Sequence, residues 1–214
     1  MCEKIIKELE QIAEPAFAQW LKPFINWTEE SGEIVLGVRV PKLRKLAKTY
    51  KNLDMQLLQE LLDSNIHEAR ALAVFIMLIQ VKKEPKKICD LYLKNLNNIN
   101  NWDLIDYSAP HIGAPNVEIK ILKVLSNSDY LWANRVAMVS TIYYIKQDDY
   151  ELALDFAEKY ITHKHHLMHK AAGWMLREIG KRNMEVLKDF LFKNSDKMPA
   201  VMRSYAMEKL IKYS

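Results

Sequence analysis

Apolar side chains recur along this chain at intervals of three and four, the spacing of one helix face, nearly from end to end. Ile5, Ile6, Leu9, Ile12 and Ala13 form a first stripe. Pro41 sits where a second helix would begin, ahead of Leu43, Leu46, Ala47 and Tyr50. Leu57, Leu58, Leu61 and Leu62 form a short helix after Asp54. Ile66 to Gln80 is apolar almost all round, which predicts a buried helix. Further helices are expected over Lys86–Leu96, Val117–Leu125, Tyr130–Ile145, Tyr150–Ile161, Leu167–Lys181, Met184–Phe192 and Ala200–Ile211. Glu33–Val40 instead alternates and is β-branched. A lone strand has nothing to pair with, so it reads as an extended connection ending at Pro41, with a hairpin as the lesser option.

The helices come in pairs, a short one before a longer or more apolar one. Second members begin near Ile66, Asn101, Leu131, Leu167 and Ala200, at spacings of 35, 30, 36 and 33. A period in the thirties predicts an all-α fold, an α-solenoid of HEAT-like helix pairs with a concave groove lined by the second helices. The Trp, Leu-Gly and Tyr spacing of tetratricopeptide repeats is absent. The 214 residues suit a single domain of this kind over residues 1–214.

Composition narrows the function class modestly. Half the residues are hydrophobic and the net charge is +4, which permits an acidic partner such as nucleic acid. Cys2 and Cys89 form no CxxC pair and no disulfide framework, so a cytoplasmic setting is expected. The charged N-terminus does not read as a secretory signal. The longest apolar run, Ala71–Ile79, is too short to span a bilayer.

Three segments carry candidate chemistry. In NNWDLIDYSAP (100–110), Asn101 can cap a helix, and Trp102 and Asp106, four apart, share one face. Asp103 reads as a first-turn partner of the helix dipole. Core packing is the plainer reading of Trp102. Asp106 opposes it, because a carboxylate in a helix interior is costly to bury unless paired or facing a cleft. In LWANRVAMVSTIYYI, Arg135 lies in a first turn 33 residues after Trp102. It reads either as a functional cation or as a surface arginine or inter-repeat ion pair. In HLMHKAAGWMLREIGKR, Trp174 lies 39 residues further on and follows Gly173, which allows close backbone approach or room for a ligand. His163, His165, His166 and His169 crowd two turns. Without an HExxH motif or a cysteine partner they read as a solvated helix start, and no metal or cofactor is expected.

Together these blocks resemble the AlkD-like DNA alkylation repair family of HEAT-like DNA glycosylases. The matching segments are GVRVPKLRKLAK (37–48), HEARALAVFIM (67–77), NNWDLIDYSAP, LWANRVAMVSTIYYI, HKAAGWMLREIGKR (169–182) and MPAVMRSYAMEKL (198–210), in order. The family's active-site set is a tryptophan, an aspartate four residues on, an arginine one repeat later and a second tryptophan one repeat after that. The resemblance puts these on Trp102, Asp106, Arg135 and Trp174. One position departs: relatives often carry a basic residue just after the proline of the MP block, where this chain has Ala200 and then Arg203.

The resemblance implies hydrolysis of the N-glycosidic bond of N3- or N7-alkylated purines in double-stranded DNA by a monomer. Asp106 would stabilise an oxocarbenium-like state and orient water. Both tryptophans would hold the sugar and the cationic nucleotide, and Arg135 would clamp a phosphate. Phosphate anchoring is expected from helix N-termini and from Lys170, Arg203, Arg39 and Arg44. A shallow groove without a deep base pocket would fit. Two readings compete: a helical scaffold that binds protein, and a DNA-structure binder without glycosylase activity.

Overall fold

The structure, a computed structural model, describes residues 1–25 and 32–208. Among these residues it is helical throughout and has no strand. The chain forms two compact units, 1–108 and 109–214.

In the first unit, α1 (Cys2–Gln11), α2 (Pro15–Leu21), α3 (Val40–Thr49), α4 (Met55–Leu62), α5 (His67–Gln80), α6 (Pro85–Lys94) and α7 (Trp102–Ser108) follow one another. Proline opens α2, α3 and α6 within the first turn, where its missing N–H costs nothing. Asp54 caps α4 by accepting from the Leu57 N–H at 2.8 Å. The seven-residue α2 has no counterpart in the sequence reading, because it is too short for a periodic signal. As expected from its apolar pattern, α5 is buried from His67 to Met77, with α3, α4 and α7 packed on it.

That burial also encloses charges, and they organise the Glu33–Val40 segment. The segment makes a single bridge, Ile34 to Ile66, so the extended connection is borne out and the hairpin is not. Its backbone N–H groups turn instead to the buried Glu68 carboxylate, which accepts from Leu36 (2.9 Å), Gly37 (2.6 Å) and Val38 (3.2 Å). Gly37 adopts φ +82°, and a Cβ there would run into the Glu14 carbonyl and the Ala18 backbone nitrogen, so only glycine fits.

In the second unit, a π-helical turn (Ala109–Gly113) precedes α8 (Ile119–Ser126), α9 (Leu131–Ser140), α10 (Ile142–Ile145), α11 (Glu151–Lys159), α12 (His166–Arg182), α13 (Met184–Asn194) and α14 (Ala200–Met207). Pro110 lacks an N–H, which favours the widened turn. The single helix expected over Tyr130–Ile145 breaks at Thr141, whose hydroxyl donates back to the Met138 carbonyl at 2.7 Å and competes with the helical ladder. The one expected over Tyr150–Ile161 tightens into a 3-10 turn from Tyr160. The tail of the last expected helix, from residue 209, lies outside the described residues.

Gly173 explains the closest packing in this unit. A Cβ at Gly173 would meet the Met202 carbonyl oxygen and lie 2.6 Å from Tyr205 Cβ. Of the two uses open to this glycine, close backbone approach is the one realised, between α12 and α14.

Candidate functional site

α7 has two distinct sides. Leu104, Ile105 and Ser108 are buried, whereas Trp102, Asp103, Asp106 and Tyr107 are only partly so. Trp102 is therefore not a core side chain, and Asp106 lies one turn beyond it on the accessible side. The Asn101 side chain accepts from the Trp102 N–H at 2.9 Å and holds the start of the helix. The Trp102 indole N–H donates to the Phe24 carbonyl at 2.6 Å, which fixes the ring against the end of α2.

The sequence reading gave Asp103 too small a part. Its Oδ2 lies 2.9 Å from Nε2 of His67, and the other ring nitrogen, Nδ1, lies 3.0 Å from Glu33 Oε1. Arg70 also pairs with Glu33. His67 is 2% exposed. Burial alone would favour the neutral ring, but Asp103 and Glu33 outweigh it and push the His67 pKa up to about 10. Burial likewise opposes charge on Glu33, yet His67 and Arg70 hold its carboxyl below the ordinary range. The result is a buried, charged link from α5 to the first turn of α7. Its signal was a His, a Glu and an Arg inside an otherwise apolar helix.

Beside this link lies a cavity of about 120 Å³, lined by Trp102, Asp103 and Tyr107 with His67, Phe75 and Phe17 among others. It is smaller than the roughly 300–1,000 Å³ of ordinary small-molecule sites. The Arg44 guanidinium sits over Phe75 (4.8 Å) and Tyr107 (5.5 Å), a cation–π arrangement. Arg39 is exposed, covers Phe17 at 4.2 Å and donates to Glu14 at 2.8 Å, where Lys42 also binds.

In the second unit, Arg135 is 4% exposed, so the surface-arginine alternative fails. It donates to the Leu167 carbonyl at 2.8 Å, joining α9 to the first turn of α12. Trp174 is partly exposed on the side of α12 that also carries Lys170 and Glu178, while Ala171, Ala172, Met175 and Leu176 face the core. Its indole N–H donates to Glu178 at 3.1 Å. Arg203 is exposed on α14 and donates to the Ser195 carbonyl at 3.1 Å.

Two histidines at the start of α12, His163 and His165, serve the backbone. His165 Nδ1 accepts from the Leu167 N–H at 3.2 Å and caps the helix, and His163 Nδ1 accepts from the His165 N–H at 3.0 Å. Both roles need an unprotonated nitrogen. Burial, which disfavours the charged ring, lowers both pKa values in agreement. Among the described residues no group of three or more His, Cys, Asp or Glu could hold a metal ion. Likewise no described helix is long and apolar enough to cross a membrane.

The all-helical architecture is that of a helical-repeat fold, which solved structures share. The chain belongs to the family described as DNA alkylation repair enzyme, whose model matches residues 5–210. One solved structure, "Predicted DNA alkylation repair enzyme from Enterococcus faecalis", shares the fold at a TM-score of 0.66 and 15% identity, over 94% of this chain and 97% of that one. AlkD2 from Streptococcus mutans shares it at 0.61 and 17%, over 91% and 98%. No curated protein matches.

Proposed function

We propose that the protein is a DNA glycosylase that hydrolyses the N-glycosidic bond of N3- or N7-alkylated purines in double-stranded DNA. The observation that carries this reading is the pairing of Trp102 with Asp106 on the accessible side of α7. An alkylated purine is already cationic and leaves as a neutral base, so no general acid is required. As the C1′–N bond breaks, its electron pair moves to the base and positive charge develops on the deoxyribose. The Asp106 carboxylate stabilises that charge and orients the water that attacks C1′, with the water's proton passing to solvent.

Trp102 in the first unit and Trp174 in the second each offer an aromatic face to sugar or cationic nucleotide, worth about 0.5–2 kcal/mol apiece. Arg135 binds a phosphate beside the lesion. Lys170, Arg203, Arg39 and Arg44 contact the DNA backbone, and the protein acts as a cytoplasmic monomer. The small cavity beside Trp102 supports recognition without a deep base pocket.

The test is release of 7-methylguanine or 3-methyladenine from alkylated duplex DNA. Asp106→Asn is expected to lower single-turnover release by about 100-fold or more. Undiminished release by the variant would overturn the role of Asp106. DNA binding by the wild type with no release of either base would select the non-catalytic DNA-structure binder.

A further inference from the structure

α2 is built inside out. It gives its small residue, Ala18, to the core beside Ile25 and Val35, with Leu21 packed on them, while Phe17 is half-buried and Trp20 is turned to solvent. Trp20 is 58% exposed and Phe24, just past the helix, is 55% exposed. These rings form a ladder. Phe17 and Trp20 stack at 5.4 Å with 17° between planes, and Trp20 and Phe24 follow at 4.7 Å. Core packing does not account for this arrangement, since Trp20 and Phe24 remain more than half exposed despite stacking on one another.

We infer that the α2 ladder is a stacking platform for unpaired nucleobases in DNA. Every base has a π-face, and proteins that bind unpaired strands combine exposed aromatics with neighbouring cations. The cations are here: Arg39 lies over Phe17, with Lys42 on the same Glu14 carboxylate, so the cluster keeps an excess positive charge. That excess favours a polyanion over an apolar protein surface or a second copy of this basic chain. The ladder is also tied to the candidate site, because the Phe24 carbonyl holds the Trp102 indole at 2.6 Å. A base extruded beside a lesion, or opposite it, would thus stack within reach of the α7 residues. The inference rests on DNA as the partner and is independent of glycosylase chemistry.

The test uses two undamaged probes, a fully paired duplex and the same duplex with a one-nucleotide bulge, with binding followed by fluorescence anisotropy. Trp20→Ala is expected to weaken binding of the bulged probe by about tenfold and of the paired probe by less than about twofold. Trp20→Phe should recover most of the loss, and Phe24→Ala should reproduce part of it. Both side chains are exposed, so melting curves should match wild type. Equal losses on both probes, or none on either, overturn the platform alone. Wild type that binds neither probe overturns the platform and the DNA reading together. A dimer seen by light scattering that Trp20→Ala dissociates assigns the ladder to a second copy and overturns the inference.

Discussion

His67 and Asp103 are joined by a 2.9 Å hydrogen bond across 36 positions of sequence, and through it the buried centre of α5 holds the first turn of α7. Trp102 is the neighbour of Asp103, and Asp106 lies one turn further on. The orientation of the proposed catalytic face therefore depends on a charged contact made in the core. With Glu33 on its other side, His67 is flanked by two carboxylates that favour its cationic form.

Stability should therefore depend on pH with a defined sign. The His67 pKa is raised from 6.5 to about 10, so its contribution is complete below 6.5 and is lost as pH rises toward 10. Glu33 is lowered from 4.5, so its contribution is present above 4.5 and is lost as pH falls through its folded value. Thermal melts across a pH series should show this cluster's support greatest between 4.5 and 6.5. His67→Gln should cost about 1–3 kcal/mol at pH 6, because it removes the cation from the part-buried Asp103 and leaves Glu33 with Arg70 alone. It should also flatten the decline between neutral pH and 10. An unchanged slope in the variant would show that His67 is not the titrating group.

Glu68→Gln tests the anchoring of the segment before α3. One carboxylate serves three backbone N–H groups, and an amide has a single acceptor oxygen. The substitution should destabilise the protein by about 1–3 kcal/mol for the donors left unsatisfied. Hydrogen exchange at Leu36, Gly37 and Val38 should accelerate more than at Leu72 or Ile76 in the middle of α5. Uniform acceleration would mean the segment opens only with the whole protein.

Gly173→Ala sets helix propensity against packing. Alanine is favoured in a helix interior by about 1 kcal/mol. The added methyl, however, collides with Met202 and Tyr205 of α14. Overpacking of this kind costs about 1–3 kcal/mol, and the colliding atoms include backbone, so a net loss is expected in chemical denaturation. A gain in stability would show that α14 can move away freely.

Arg135→Ala should reduce both base release and stability, the latter by about 1–3 kcal/mol. The variant removes the bond to the part-buried Leu167 carbonyl and leaves a gap between α9 and α12. Asp106→Asn, by contrast, replaces a partly buried carboxylate by an amide of the same shape and should melt closer to wild type than Arg135→Ala while losing release. Measuring melting and release on both variants separates support of the fold from chemistry on the substrate.

Helix identity and order were legible along the chain because each helix must present one apolar face, and that demand is written locally at intervals of three and four. The buried character of α5, the proline starts, the Asp54 cap and the pairing of Trp102 with Asp106 all follow from spacing. Local pattern could not show α2, which is too short and turns its aromatics outward. Nor could it show that Arg135 is buried against Leu167, or that Gly173 serves a helix crossing. The Glu33–His67–Asp103 link was equally hidden, although His67 and Glu68 stood in plain view within an apolar helix. A buried charge declares that it has partners but does not name them. The partners come from segments more than thirty residues away, and only the packing of one element on another brings them within hydrogen-bonding distance.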